Sequence, residues 1–169
     1  MIVGSKIGKV EVLESTSQVY LDHENIIEAT QRMGYVVDYS KILMDLKKED
    51  TVTHAIAFSG WYHFKKKFGD QKTLLYEAGF HTDQVYPEGK YNKNLADNYL
   101  VAEASFNSFE ESRFRRFVLI ANDGGYLRLL KKLKLKGIFI TLLGTDECSS
   151  RLMVICDEFI DLNNYRIKI

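Results

Sequence analysis

The chain has 169 residues, enough for one domain with a substantial core, and its single proline and lack of low-complexity runs mark no linker. Lys+Arg and Asp+Glu both number 23, so no global basic field draws the protein to nucleic acid, and any such binding has to come from a local patch. No run reaches the roughly 18 apolar residues of a membrane span, and residues 1–6 lack the pattern of a signal peptide, so a cytoplasmic location is expected. Cys148 and Cys156 fit neither a metal knuckle nor a disulfide framework, and Cys156, beside Met153, Val154 and Ile155, reads as a buried small hydrophobe.

Along the chain, residues 1–16 carry Ile2, Val3, Ile7, Val10, Val12 and Leu13 with Gly4 and Gly8 as breakers, which predicts a short strand or hairpin before the main fold. Residues 18–22 form an apolar strand ending in Asp22, and Ile26, Ile27, Ala29 and Thr30 begin a helix that Gly34 ends. A second helix is predicted over 39–48 with Asp38 or Ser40 as its cap. Residues 54–58 are a buried strand closed by Ser59 and Gly60; Trp61 then leads into a basic helix with Lys65, Lys66 and Lys67, and Gly79 stops the next helical piece. A short strand over 83–86 precedes a helix over 94–106 on which Asp97, Leu100, Val101 and Ala104 share one face. An aspartate on an apolar face costs free energy unless its charge is compensated.

Residues 117–121 show no alternation, the pattern of a parallel strand covered on both faces. Asp123, Gly124 and Gly125 close it, and Tyr126, Leu129, Leu130 and Leu133 then recur at helical spacing. A further strand over 137–144, a helix from Ser149 or Ser150 to Cys156 and an edge strand over 158–162 complete the chain. Strand and helix alternate throughout, which implies an α/β fold with a mainly parallel sheet between helical layers.

Asp22 and Asp123 therefore stand at carboxyl ends of buried strands, where ligands bind in open α/β sheets, and Asp97 lies on an inward helix face. Asp123 also has a purely structural reading, as a helix cap. Clustered carboxylates repel one another and raise their pKa values unless a cation joins them. Mg²⁺ or Mn²⁺ is the natural cation, since it accepts one or two carboxylates plus waters and phosphate oxygens. A metal held there positions water and stabilises charge on a phosphodiester.

Three segments carry a resemblance: Val19-Tyr20-Leu21-Asp22-His23-Glu24-Asn25, Leu95-Ala96-Asp97, and Val118-Leu119-Ile120-Ala121-Asn122-Asp123-Gly124-Gly125-Tyr126. Together they resemble the acidic motifs of NYN domains, the PIN-like ribonuclease fold of the LabA-like group, and residues 156–162 resemble the closing motif. The resemblance spans about residues 18–162 and implies a three-layer Rossmann-like fold and a metal-dependent ribonuclease acting on single-stranded or structured RNA. It implies Asp22, Asp97 and Asp123 as catalytic, metal-binding acids, with Asn25 matching the Asn of the first motif. The alternative is a catalytically degenerate relative serving as an RNA-binding or protein-interaction scaffold. One departure favours that alternative: where the third motif usually has a second acid, this chain has Gly125. Glu103 and Glu24 are weaker candidates for the missing carboxylate.

Candidate RNA contacts are Asn25, Asn122, Lys65 and Arg116, with Arg113 and Arg115 nearby in sequence, and Trp61, Tyr62 and Tyr126 are candidates for stacking on bases. Charge runs are more often solvated faces, and Trp61 reads more readily as core or rim packing. His23 and His63 have the chemistry of acid-base groups but read better as structural. A phospho-acceptor receiver would need a lysine near residues 142–146, which is absent, and a phosphate-binding nucleotide fold would need glycines after the first strand, where residues 22–25 have none. A homodimer or a protein partner is compatible with the sequence.

Overall fold

The computed structural model describes residues 15–61, 69–84, 95–111 and 114–168. Residues 1–14 of the extension predicted over 1–16, and the basic helix with Lys65 to Lys67, lie outside those residues. The chain opens on β1 (Thr16–Asp22) and α1 (His23–Arg32), then β2 (Tyr35–Val37), α2 (Tyr39–Glu49) and β3 (Thr51–Ser59). After these come α3 (Gln71–Glu77), β4 (His81–Gln84), α4 (Leu95–Glu110) and β5 (Phe114–Ile120). A 3-10 turn (Gly124–Tyr126), α5 (Leu127–Leu135), β6 (Phe139–Gly144), α6 (Ser150–Ile155) and β7 (Glu158–Asp161) follow; a second 3-10 turn (Leu162–Tyr165) leads into β8 (Arg166–Lys168).

Six strands form one parallel sheet in the order β4-β3-β1-β5-β6-β7. The chain builds outward from β1 through β3 to β4, returns through α4 to place β5 beside β1, and builds the other way through β6 to β7. β1 and β5 therefore flank the point where the winding reverses, and the loops leaving their carboxyl ends diverge to open a crevice.

Strand parity assigns the two faces. Val19 and Leu21 of β1, Ala57 of β3, Val118 and Ile120 of β5 and Leu143 of β6 pack with Ile26 of α1, Ile42, Leu43 and Leu46 of α2 and Leu75 of α3. Tyr20, Phe58, Phe117, Leu119 and Leu142 point the other way, onto Ala96, Leu100 and Ala104 of α4, Leu129, Leu130 and Leu133 of α5 and Leu152 of α6. Each such aliphatic or aromatic side chain contributes about 1.5–3 kcal/mol on burial. Because successive residues alternate faces, Asp22 shares the α4 side with Tyr20. Gln18, of the same parity, donates to Glu111 Oε2 at 2.9 Å just past the end of α4, which helps fix that helix across β1.

Most sequence expectations hold, including Asp38 as the α2 cap, accepting from Lys41 N, and Gly34 and Gly79 ending α1 and α3 at φ +77° and +101°. Three details differ. α1 begins at His23 rather than Ile26, because the Asp22 carboxylate accepts from Asn25 N and caps it. β2 and β8 form a separate antiparallel ribbon, too short to show a period in sequence. Cys148 is the buried thiol, while Cys156 is only half-buried at the end of α6.

Candidate active site

At the carboxyl end of β1, Asp22 is 3% exposed. The hydroxyl of Tyr126 donates to Asp22 Oδ2 at 2.9 Å and stands 2.9 Å from Asp97 Oδ1. The sheet parity that turns Asp22 toward α4 and the helical spacing that turns Asp97 inward meet at this one phenol. Tyr126 is itself buried, at the head of the apolar stripe that seats α5.

One hydroxyl hydrogen serves one acceptor at a time, so holding both carboxyls at this distance takes a further proton or a cation. The electrostatics agree. Burial, and then the Asp97 charge, push the Asp22 carboxyl from an ordinary 3.8 up to about 7, against the opposing hydrogen bonds from Tyr126 and Asn25. Burial and the two adjacent carboxylates likewise raise the Tyr126 phenol, which stays protonated as the bridge. Asp22 has no ion pair among the described residues.

Asp123 follows β5 with the parity of Ala121 but is exposed, and its carboxylate accepts from Gly125 N at 2.8 Å, capping the 3-10 turn. The structure thus brings Asp22 and Asp97 together and leaves Asp123 at the rim of the same crevice. Among the described residues, no group of three or more His, Cys, Asp or Glu side chains is arranged to hold a metal ion. The Asp22 and Asp97 pair nevertheless suits a hard dication that takes two carboxylates and fills its remaining positions with water. Two acids share one phenol here, and one of them is pushed to near-neutral pKa, which is the condition a bound cation relieves.

Glu24 is buried, but its Oε1 is taken by the Gly60 N–H and lies 3.5 Å from Ser59 Oγ at the end of β3, a bond to the neighbouring strand. Glu103 is held by Asn107 Nδ2 at 3.2 Å, four residues along α4. The Glu24 charge also reaches Asp22 and adds to the rise in its pKa, whereas Glu103 is held along its own helix. A Cβ at Gly125 would meet only the Asp123 carboxylate, at 3.4 Å, so the departure there is one of chemistry rather than space.

Several expected RNA contacts occupy other roles. Asn25 Oδ1 accepts from Asn122 N at 2.8 Å. Asn122 Oδ1 in turn accepts from Thr145 N, and Asn122 Nδ2 donates to Thr145 Oγ1. This chain of amides ties the ends of β1, β5 and β6 together and so positions the acids; both polar atoms of the Asn122 side chain are spent inside the protein. Trp61 is buried and stacked on His23 with ring centroids 5.5 Å apart, which removes it from base stacking at the surface. Tyr126 is a bridge between acids rather than a stacking platform.

Arg116 lies at the opposite end of the sheet. It is 8% exposed, donates to Thr141 Oγ1, and pairs with Glu49, Asp50 and Glu158. Its sequence neighbour Arg115 is exposed and donates to the Phe114 carbonyl. Lys65, Tyr62, His63 and Arg113 lie outside the described residues. Sequence reasoning missed the role of Tyr126. The available signal was its place at the head of the buried stripe, where a tyrosine hydroxyl has to find a partner.

The fold recurs in a crystal structure of a protein of unknown function from Vibrio parahaemolyticus, with a TM-score of 0.74, 16% identity, and coverage of 92% of this chain and 98% of that one. In sequence, the chain is 25% identical over 158 residues to the low amplitude and bright protein LabA of Synechococcus elongatus, covering 88% of this chain and 84% of that protein. Residues 16–163 match the NYN domain, so the chain belongs to the NYN domain family, whose members are generally RNA-binding nucleases that use divalent metal ions.

Proposed function

We propose that the protein is a metal-dependent ribonuclease that hydrolyses RNA phosphodiesters at the crevice between β1 and β5. The observation that carries this reading is the pair of carboxyls, Asp22 and Asp97, held at one buried phenol without a compensating ion pair on Asp22. A pair so arranged is costly to the fold and suited to a cation.

In this reading Asp22 and Asp97 hold Mg²⁺ or Mn²⁺, and Asp123, at the crevice rim, is the third acid, free to exchange its Gly125 N–H for the metal or its water shell. The bound ion would lower the pKa of a coordinated water and offset charge on the phosphodiester. Tyr126 fixes the separation of the two carboxyls and donates to whichever is ionised. The Asn25–Asn122–Thr145 chain keeps the Asp22 and Asp123 ends of their strands in register, and misplacement by about 1 Å costs on the order of 100-fold in rate. Localisation in the cytoplasm fits this role; no described helix is long and apolar enough to cross a membrane.

The rival reading is a degenerate scaffold that binds RNA or a protein partner, or acts as a homodimer. It draws support from Gly125 and from the outward-facing, capping carboxylate of Asp123. Cleavage of labelled single-stranded and structured RNAs in Mn²⁺, Mg²⁺ or EDTA, with Asp123→Asn in parallel, separates the two. Metal-dependent cutting that the substitution removes establishes the nuclease with Asp123 in its site. Absence of cutting by either folded protein establishes the scaffold.

A further inference from the structure

The positive charges of α5 divide into two groups in the fold. Towards the carboxyl end of the helix, Lys134 donates to Asp157 Oδ1 at 2.7 Å and to the Ile155 carbonyl at 3.0 Å, and Lys136, just past it, stands over the Phe109 ring. Arg128 and Lys131, one turn apart and both exposed, make no side-chain hydrogen bond or ion pair among the described residues. Arg128 falls in the first turn, which holds no acid, and a positive charge there opposes the helix dipole instead of complementing it. The helix itself gains nothing from a cation at that place.

Lys131 also faces a second cation. A groove of about 330 Å³ runs between α5 and α6, lined by Leu127 and Lys131 of the first helix and Ser150, Arg151, Val154 and Ile155 of the second. Arg151 is exposed and, like Lys131, has no ion pair among the described residues. The lining thus carries a positive charge on each wall and no negative one. The acids closest to α6 in sequence are engaged elsewhere: Glu147, ahead of the helix, pairs with Arg32, and Asp157, after it, pairs with Lys134. Like charges facing across a groove repel, whereas an anion between them is attracted to both. Val154, 86% exposed, adds an apolar wall that the described chain leaves uncovered.

The groove begins where the acids end. Ser149 N donates to the Asn122 carbonyl at 2.9 Å, and Gly124 approaches Ser149 so closely that a Cβ there would stand 2.9 Å from its hydroxyl oxygen. The start of α6 is therefore pressed against the turn that Asp123 caps, and α5 grows out of that same turn. Lys131 lies about 6 Å of helix beyond Leu127.

We propose that the groove between α5 and α6 carries the sugar-phosphate backbone of a single RNA strand as it leaves the crevice, with Lys131 and Arg151 each on a phosphate and Leu127, Val154 and Ile155 against its sugars and bases. The inference rests on the RNA reading above, which chooses RNA over an acidic protein segment. Arginine suits a phosphate through its forked donors and lysine as a point charge. Contacts of this kind hold a strand without reading its sequence. They also supply locally the positive field that a chain with equal numbers of acids and bases lacks globally.

The test titrates a labelled single-stranded RNA with the full chain, by fluorescence polarisation over a range of salt concentrations, in EDTA and in a second series with Mn²⁺. The unaltered protein is compared with Lys131→Ala/Arg151→Ala and with Lys41→Ala/Lys47→Ala, which removes the same charge from exposed positions of α2 on the other face of the sheet. Melting curves establish that all three are folded. The groove variant is expected to bind about tenfold or more weakly on every sequence tried, and its plot of log affinity against log salt is expected to flatten by about 1.4, for two phosphate contacts on a single strand. The α2 variant is expected to match the unaltered protein. RNA binding that is equal in both variants, with equal salt slopes, overturns the proposal and leaves the RNA reading standing. Absence of RNA binding in both series overturns the two together. Polyglutamate bound more tightly than RNA, and lost in the groove variant, overturns the proposal by giving the groove to an acidic protein segment. Binding is read apart from cleavage, so a chain that holds RNA here and never cuts it contradicts the nuclease reading alone.

Discussion

The two ends of the central sheet each bury charge, and they treat it in opposite ways. At the amino ends of the strands, Arg116 is surrounded by Glu49, Asp50 and Glu158 and bonded to Thr141, an ion network balanced by its own members. At the carboxyl ends, Asp22 and Asp97 meet at Tyr126, and burial with mutual repulsion lifts Asp22 to about 7. The arginine network ties elements together, whereas Asp22, with no ion pair among the described residues, is where the proposed reading seats a cation. Arg116, read from sequence as an RNA contact, is thus engaged in an ion network, and in the proposed reading the acids are the functional pole.

Breaking the balanced end gives the largest expected effect. Arg116→Met strands three acids around a buried apolar stem and is expected to destabilise the fold by about 3–5 kcal/mol, measured by urea denaturation at neutral pH, with metal binding per folded molecule unchanged. Breaking the unbalanced end does the reverse. Asp22→Asn keeps the acceptor for Asn25 N and Tyr126 but removes the charge, so RNA cleavage falls by at least about 100-fold while the melting temperature at pH 8 without metal rises.

The pH dependence of stability sharpens the contrast. The Asp22 carboxyl has a folded pKa of about 7 against an ordinary 3.8, so the folded state binds the proton more tightly. The contribution of this group to stability is therefore greatest below pH 4, declines as pH rises from about 4 to 7, and is lowest above 7, by on the order of a few kcal/mol. Denaturation in EDTA from pH 5 to 8 measures this decline, which Asp22→Asn flattens.

Smaller effects come from the edges of the site. Tyr126→Phe removes a hydrogen bond that lowers the Asp22 pKa, so that pKa rises further and Mn²⁺ affinity at pH 7 falls several-fold, about 1 kcal/mol for the lost bond. Carbon-13 NMR of the labelled carboxyl reads the first effect and calorimetry the second. Gly125→Asp restores an acid where the backbone has room for its Cβ. The expected outcome is Mg²⁺ binding tightened by a few-fold, and an unchanged affinity would place residue 125 outside the metal's reach.

The sequence makes the sheet legible because buried parallel strands are uninterrupted apolar runs, as at residues 117–121, and the acids legible because they terminate such runs. It also foretells the inward turn of Asp97 from helical spacing. It does not reveal β2 and β8, whose three residues each carry no period, or the start of α1 at His23, which depends on the Asp22 cap. Arg116 misleads because strand parity, not its basic neighbours, decides where it points. Tyr126 misleads because its ring belongs to a buried stripe while only its hydroxyl reaches the site.

In the proposed reading the Asp22 and Asp97 pair takes a divalent cation. Calorimetric titration of the full chain with Mn²⁺ at pH 6 and pH 8, beside Asp22→Asn, shows whether it does. Saturable binding is expected that is tighter at pH 8, releases protons at pH 6 and is lost in the variant. Absence of binding at both pH values, or equal binding by the variant, rules the cation site out.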